Sequence, residues 1–294
     1  MLFSTGKSQS IITVVDSISM EALPYATVYQ FSGKLLFLCT NLGETKLNIV
    51  GTDTLRISYA GYIDKVFPVK QVKNIKVALA RNSRLLPEVV VKPCLKWSKT
   101  ISYKPEADTG SFGGFMWGNM GDKGRIAIFL PSQGAGSNLI SFTLYLKPGI
   151  RGNKTAAKAP IRFSFYEIDT ATMLPSELLT AKTILFQPDR LGAQKINVDS
   201  LGLIIPEQGM YIALEGYQDD AYSYWIQTNL PDGTRDTVKM YGASFEGIYS
   251  KKTWLSFYNF KTGQWIFSGN RPFEKQRRHG AINYEIKYAV CKDK

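Results

Sequence analysis

The chain has 294 residues, 44% of them hydrophobic, 13% aromatic and 20% charged, with a formal net charge of +12. That length exceeds one typical domain and the apolar share is enough for sizeable cores, which excludes a disordered chain. One histidine and three dispersed cysteines exclude the H-E-x-x-H peptidases and any cysteine-based zinc framework.

In chain order, short β-rich runs come first: Ile11–Val15, Ala26–Phe31, Leu35–Cys39, Lys46–Ile49, Leu55–Tyr59, Val66–Val69 and Ile75–Leu79. Leu55, Ile57 and Tyr59 alternate with Arg56 and Ser58, the period of a half-buried strand. Asn41 to Gly43 supplies residues that tolerate tight-turn geometry between two apolar runs. The spacing of strand and turn signals predicts a small β-sandwich.

Five segments carry a resemblance: Val15-Asp16, Leu23 to Val28, Thr40 to Gly43, Thr54 to Tyr62, and Leu86-Pro87-Glu88-Val89-Val90-Val91. Together they resemble the carboxypeptidase-like regulatory domain, a transthyretin-like seven-stranded β-sandwich of Gram-negative cell-envelope proteins. The resemblance covers about the first third of the chain, taken as residues 1–92. It implies a spacer or docking module and no peptidase activity. The family usually carries Asp after the position of Thr40; here Asn41 stands there, which argues against a cation held in that turn.

Residues 93–109 read as a connector, polar and broken by Pro93 and Pro105. Gly110 to Gly121 then interleaves glycines with Phe112, Phe115, Met116 and Trp117, either a stacking platform or a strand whose rings plug a second core. The second domain, 110–294, reads as β-rich again. Its strands are expected at Arg125–Leu130, Leu139–Leu146, Ile161–Ile168, Thr183–Gln187, Gln194–Asn197, Met210–Glu215, Ser223–Gln227, Thr253–Tyr258, Trp265–Phe267 and Tyr284–Val290. Pro175 to Ala181 reads as a single helical turn. The fold class expected is therefore all-β, a seven-stranded transthyretin-like sandwich followed by a jelly-roll-like one. The order of motifs in the second half also looks like the jelly-roll-like domain that accompanies the regulatory domain in envelope proteins of those bacteria. In general outline it resembles carbohydrate-binding sandwiches.

Charge is spread along the chain, with an excess of +5 in residues 1–92 and +7 in the remainder. A nucleic-acid binder usually concentrates its cations, so no nucleic-acid partner is expected. The sharpest cluster, Lys275 to His279, reads as a solvated loop or as a contact for an acidic partner. Cys39 reads as a buried thiol, whereas Cys94 and Cys291 could pair in an oxidising compartment. No run approaches the roughly 18 apolar residues of a membrane-spanning helix. Met1 to Ser10 lacks the features of a secretory leader. The resemblance implies a periplasmic, outer-membrane-associated or secreted protein whose leader is not in this chain.

No catalytic residue, resident metal or cofactor is expected. The one enzymatic alternative is a glycoside hydrolase using two carboxylates. Its acids would come from Glu167, Asp169, Glu215, Asp219, Asp220 and Glu246, of which Asp169 and Asp219-Asp220 suit solvated charge or calcium. The stronger lead is aromatic. Tyr222, Tyr224 and Ile226 recur on one face of a strand, with Ser223, Trp225 and Gln227 on the other. Trp225, Tyr258 and Trp265 are the ligand-binding candidates, for a glycan or an envelope protein partner. A purely structural envelope role is the third reading.

Overall fold

The computed structural model describes residues 9–32, 35–49, 51–70, 74–82, 97–107, 109–117, 125–134, 136–147, 158–180, 182–216, 222–229, 234–267 and 279–290. The chain divides into two compact units, Met1–Leu85 and Leu86–Lys294. Among the described residues both units are built of strands, with no α-helix, so no helix there is long and apolar enough to cross a membrane.

The first unit contains β1 (Ser10–Asp16), β2 (Thr27–Gln30), β3 (Leu35–Leu38), β4 (Glu44–Leu47), β5 (Thr52–Ser58), β6 (Lys65–Lys70) and β7 (Asn74–Leu79). Each expected run overlaps one of them, β4 by two residues only. They form a three-stranded sheet, β4-β1-β7, and a four-stranded sheet, β3-β2-β5-β6. β1 pairs in parallel with β7, and the other pairs are antiparallel. Ile12, Val14, Leu47, Val77 and Leu79 from one sheet share a core with Val28, Leu55, Ile57 and Val69 from the other. Cys39 is buried in the same core. Gly43 has φ +71°, and a Cβ there would lie 2.7 Å from the Val14 carbonyl, so the turn after Asn41 requires glycine.

Asp16, at the end of β1, ties three loops together. Its Oδ1 accepts the backbone N–H of Ile18 and Ser19 at 2.7 and 2.9 Å. Its Oδ2 accepts the Tyr62 hydroxyl at 2.6 Å and the Arg81 Nε at 2.7 Å. Hydrogen bonds from Tyr62, Arg81 and the two amides hold this carboxyl well below the usual carboxylate range.

The second unit runs through β8 (Ile101–Tyr103), β9 (Thr109–Trp117), β10 (Arg125–Leu130), β11 (Ser137–Lys147), β12 (Ile161–Ile168), β13 (Pro175–Leu178), β14 (Ile184–Phe186), β15 (Gly192–Asn197) and β16 (Ile204–Ile205). It continues with β17 (Met210–Gly216), β18 (Ser223–Asn229), β19 (Arg235–Ser250), β20 (Leu255–Asn259), β21 (Gln264–Phe267), β22 (His279–Ile282) and β23 (Tyr284–Ala289). A seven-stranded sheet has the order β13-β12-β17-β10-β20-β21, with β14 also on β12. A nine-stranded sheet has the order β18-β19-β11-β23-β8, with β15 and β16 on β11 and with β9 and β22 on β19. Their inner faces meet in one core. Phe142 of the nine-stranded sheet lies edge-on to Phe163 and Phe165 of the other, at centroid distances of 4.9 and 6.4 Å.

Three expectations change. Ile101–Tyr103, inside the stretch read as connector, pairs with β23, because a three-residue β run flanked by polar residues is too short to stand out. Pro175–Leu178 is a strand on β12 rather than a helical turn, since its partner strand satisfies backbone groups that one turn could not. His279 is placed by its backbone at the start of β22, paired with Ser250, not in a loop. The glycine–aromatic run does enter a strand, with Thr109–Trp117 paired to β19. Cys94, Cys291 and the cations from Lys275 to Arg278 lie outside the described residues.

Asp16 supplies a pH test. A carboxyl held below its ordinary pKa contributes stability that is present above about pH 4 and lost as pH falls. Denaturant midpoints of the wild type should therefore fall from about pH 5 to pH 2 more steeply than those of Asp16→Asn, which should already be lower at pH 7. Parallel curves for the two proteins would show that Asp16 carries no such coupling.

Candidate functional site

The three candidate rings are divided between two sheets. Tyr258 on β20 and Trp265 on β21 are register partners with ring centroids 5.2 Å apart. Trp225 stands on β18 of the nine-stranded sheet. The structure brings the first two together and sets the third apart.

Tyr258 and Trp265 belong to the outer face of the seven-stranded sheet, whose register places Arg162, Glu215, Arg125, Tyr258 and Trp265 in one row. The next row is Ser164, Ala213, Ala127, Ser256 and Phe267. Tyr166 on β12 and Trp265 on β21 are separated by three strands, about 19 Å in a flat sheet. Their rings nevertheless approach to 5.5 Å. The sheet is therefore curved, and the row of small side chains leaves room for large rings to meet above it. Trp254 stacks on Phe129 at 3.9 Å and 12°, and its Nε1 donates to the Tyr211 hydroxyl at 2.6 Å. That hydroxyl donates to the Met173 carbonyl at 2.5 Å, and burial pushes the phenol up to about 12.

Beside these rings lies a buried charge row. Glu215, 3% exposed, accepts from Arg162 Nε at 3.0 Å and from both Arg162 Nη2 and Arg125 Nη2. Arg125 also donates to the Tyr166 hydroxyl at 3.3 Å, and its guanidinium lies 4.9 Å from the Tyr258 ring and 5.5 Å from that of Phe260. Tyr258 and Trp265 are both half-buried. Their rings act as walls of a packed face.

Trp225 has different surroundings. β18 and β19 form an antiparallel hairpin in which Ser223 opposes Tyr241, Trp225 opposes Lys239, and Gln227 opposes Thr237. Tyr224, Ile226 and Met240 on the opposite face are buried together. Trp225 is 58% exposed. The Lys239 ammonium lies 5.8 Å from its ring centroid and 5.6 Å from that of Tyr241. An indole open to solvent with a cation beside it can stack on the apolar face of a sugar ring while the ammonium meets a polar substituent.

Sequence reasoning separated the two faces of Ser223–Gln227 but missed Lys239 and Tyr241, because β19 was not expected. The signal was available. Pro231-Asp232-Gly233 is a turn sequence, and Val238 and Met240 alternate with Thr237, Lys239 and Tyr241.

The described acids named for hydrolysis sit in different settings. Glu215 is in the ion-paired row, and Asp169 accepts the N–H groups of Ala171 and Thr172 in the turn after β12. Glu246 accepts from Asn283 and lies 3.6 Å from Lys147 Nζ. Glu167 is half-buried on β12, while Asp219 and Asp220 lie outside the described residues. No group of three or more His, Cys, Asp or Glu among the described residues is arranged to hold a metal ion.

No protein-family model matches the chain, and no curated protein matches it. Among solved structures the chain is similar to the clostridial cysteine protease Cwp84 after propeptide cleavage, with a TM-score of 0.34 and 9% identity over 65% of this chain and 40% of that one. A second structure, the cysteine protease and lectin-like domains of the Clostridium difficile surface-layer-associated Cwp84, gives a TM-score of 0.32 and 11% identity over 66% and 36%. The chain spans 40% or less of the Cwp84 chains it matches. A candidate carbohydrate-binding protein from Bacteroides uniformis gives a TM-score of 0.21 and 9% identity over 81% and 98%.

The two faces should respond differently to substitution. Glu215→Gln leaves two buried guanidinium groups without their shared carboxylate and should cost about 3–5 kcal/mol in urea unfolding. Trp225→Ala, on an open surface, should change stability by less than about 0.5 kcal/mol. Equal losses in the two variants would mean that Trp225 is also a packing residue.

Proposed function

We propose that the protein is a non-catalytic binding protein of the cell envelope or its exterior, in a Gram-negative bacterium. In this reading residues 1–92 are a transthyretin-like module of the carboxypeptidase-like regulatory type, serving as spacer or docking element. Residues 110–294 are a jelly-roll-like domain that recognises a glycan. The observation that carries the proposal is the Trp225 ring, open to solvent on a sheet face whose reverse side is packed. A strand held rigid from behind presents an aromatic with little conformational entropy left to lose, which favours stacking. Assigning the site to Trp225 rather than to Tyr258 and Trp265 follows from the ring contacts and half-burial of the latter two.

The absence of catalysis is part of the proposal. The engagement of Glu215 with two arginines and of Asp169 with turn amides supports it, because each acid already has a structural task.

A glycan array probed with the purified chain tests this reading. Binding is expected to some polysaccharide, weakened several-fold by Trp225→Ala, as befits a stacking interaction worth about 1 kcal/mol. The melting temperature of the variant should stay that of the wild type. An array without signal, or one that Trp225→Ala leaves intact, would remove the assignment.

A further inference from the structure

We infer that β18 is a self-association edge, at which two copies of this chain pair antiparallel across a two-fold axis and join their nine-stranded sheets into one. Among the described residues β18 pairs with β19 alone. From Trp225 to Asn229, the side of its backbone away from β19 therefore has no strand of the described residues against it. Such a row of N–H and C=O groups templates a further strand, and proteins blunt it with charge, proline, bulges or brevity.

The other edges among the described residues show those devices. β6 carries Lys65, Pro68 and Lys70, while β4, β7 and β15 each hold a lysine and β13 opens on Pro175. β3, β8, β14, β16, β21 and β22 are two to four residues long. The pairing of β9 with β19 shifts register at three points. β18 has none of this protection. Its seven residues include no charge, proline or glycine, and Tyr224, Trp225, Ile226 and Thr228 are strand formers.

A second copy is the occupant because the strand matches itself. Full overlap centres the axis on Ile226 and sets Trp225 opposite Gln227 of the second copy, Tyr224 opposite its Thr228 and Ser223 opposite its Asn229. Ring and β-branched pairs of this kind support a ladder, and none of them opposes like charges. The charges of β19 also stay apart. Arg235, Asp236 and Lys239 are level with Asn229, Thr228 and Trp225, in three different rows. Continued across the axis, those rows end on Tyr241, Met240 and Thr237 of the second copy, all uncharged. Glu246 lies beyond the part of β19 that β18 covers, 3.6 Å from Lys147 Nζ. One consequence rests on the glycan-binding reading: the two Trp225 residues become diagonal neighbours on one face, about 7–8 Å apart, so a glycan meets two indoles instead of one.

The test is sedimentation velocity of the full chain over a concentration series, with amide hydrogen exchange read at its two ends. One strand pair is a small interface, so a weak dimer is expected, with Kd on the order of 10–100 µM. Exchange in Trp225–Asn229 should slow as the dimer fills. The net charge of +12 opposes association, so salt at about 0.5 M should tighten the dimer, the reverse of an ion-paired interface. Gln227 and its copy are also diagonal neighbours, so Gln227→Lys or Gln227→Glu should each weaken the dimer at least about threefold. Mixing the two variants should restore association to at least the wild-type level. A synthetic peptide of residues 222–230 should compete with the dimer, and a scrambled peptide of the same composition should not.

A chain still monomeric at about 500 µM would overturn the inference. So would a dimer that leaves exchange in β18 unchanged, ignores both charges at position 227 or is weakened by salt. Slow exchange in Trp225–Asn229 already at the lowest concentration would mean that the edge is covered within one chain, and would overturn it too. Competition by the scrambled peptide would make β18 a general strand acceptor and remove the choice of a second copy. If Gln227→Lys lowers the melting temperature, Gln227→Glu and the mixture decide. A dimer that binds no glycan would keep the pairing and lose the glycan reading, whereas Trp225-dependent glycan binding by a strict monomer would do the opposite.

Discussion

The second unit depends on the middle of its seven-stranded sheet being covered on both faces. β10, β17 and the first part of β12 are buried along nearly their whole length. Their inner residues reach the nine-stranded sheet through the aliphatic core and the Phe142 cluster. Their outer residues need a second cover, and the sheet supplies it from its own flanks. Small residues at Ala127, Ala213, Ser164 and Ser256 leave a trough, which Tyr166, Tyr211, Phe129, Trp254 and Trp265 fill. Larger side chains in that row would push these rings apart and leave a strand face without cover.

That demand accounts for four of the aromatic residues late in the chain. Trp254, Tyr258, Phe260 and Trp265 are used to close the outer face, and Arg125 is held against two of these rings. The guanidinium groups enter with a carboxylate between them, since an unpaired charge at this depth would cost several kcal/mol. Trp225 lies outside this arrangement. The sheet behind it already has its own small cluster in Tyr224, Ile226 and Met240.

The first unit was legible almost entirely. Its strands alternate or run apolar, and its turns carry residues with a steric reason to be there, such as Gly43. The second unit was legible where strands are long and apolar, as at Arg125–Leu130 and Ile161–Ile168. β19 escaped because Gly242 and Gly247 interrupt its pattern and its alternation holds only from Thr237 to Tyr241. β8, β13 and β16 are too short for any period to register. For the site, alternation sorted Trp225 from Tyr224 and Ile226. Whether a given ring faces solvent or another ring depends on which strands flank it. Local pattern carries no record of that, so Tyr258 and Trp265 could not be separated from Trp225 by sequence.

The same pair of groups, a cation over aromatic rings, occurs on both sheets and has opposite consequences. Arg125 lies over Tyr258 and Phe260 with its charge met by Glu215, and both charges are buried, with Tyr258 half-buried beside them. There the interaction is strong because it is dry, and it is spent on holding the fold. Lys239 is half-buried, with its ammonium 5.8 Å from the Trp225 centroid and 5.6 Å from that of Tyr241, and the Trp225 ring is open to solvent. Water weakens an attraction of this kind to a fraction of its buried strength. The first set holds the fold, since Arg125 can leave Glu215 only if the sheet itself comes apart, whereas the contacts of Lys239 with the rings carry far less of the stability.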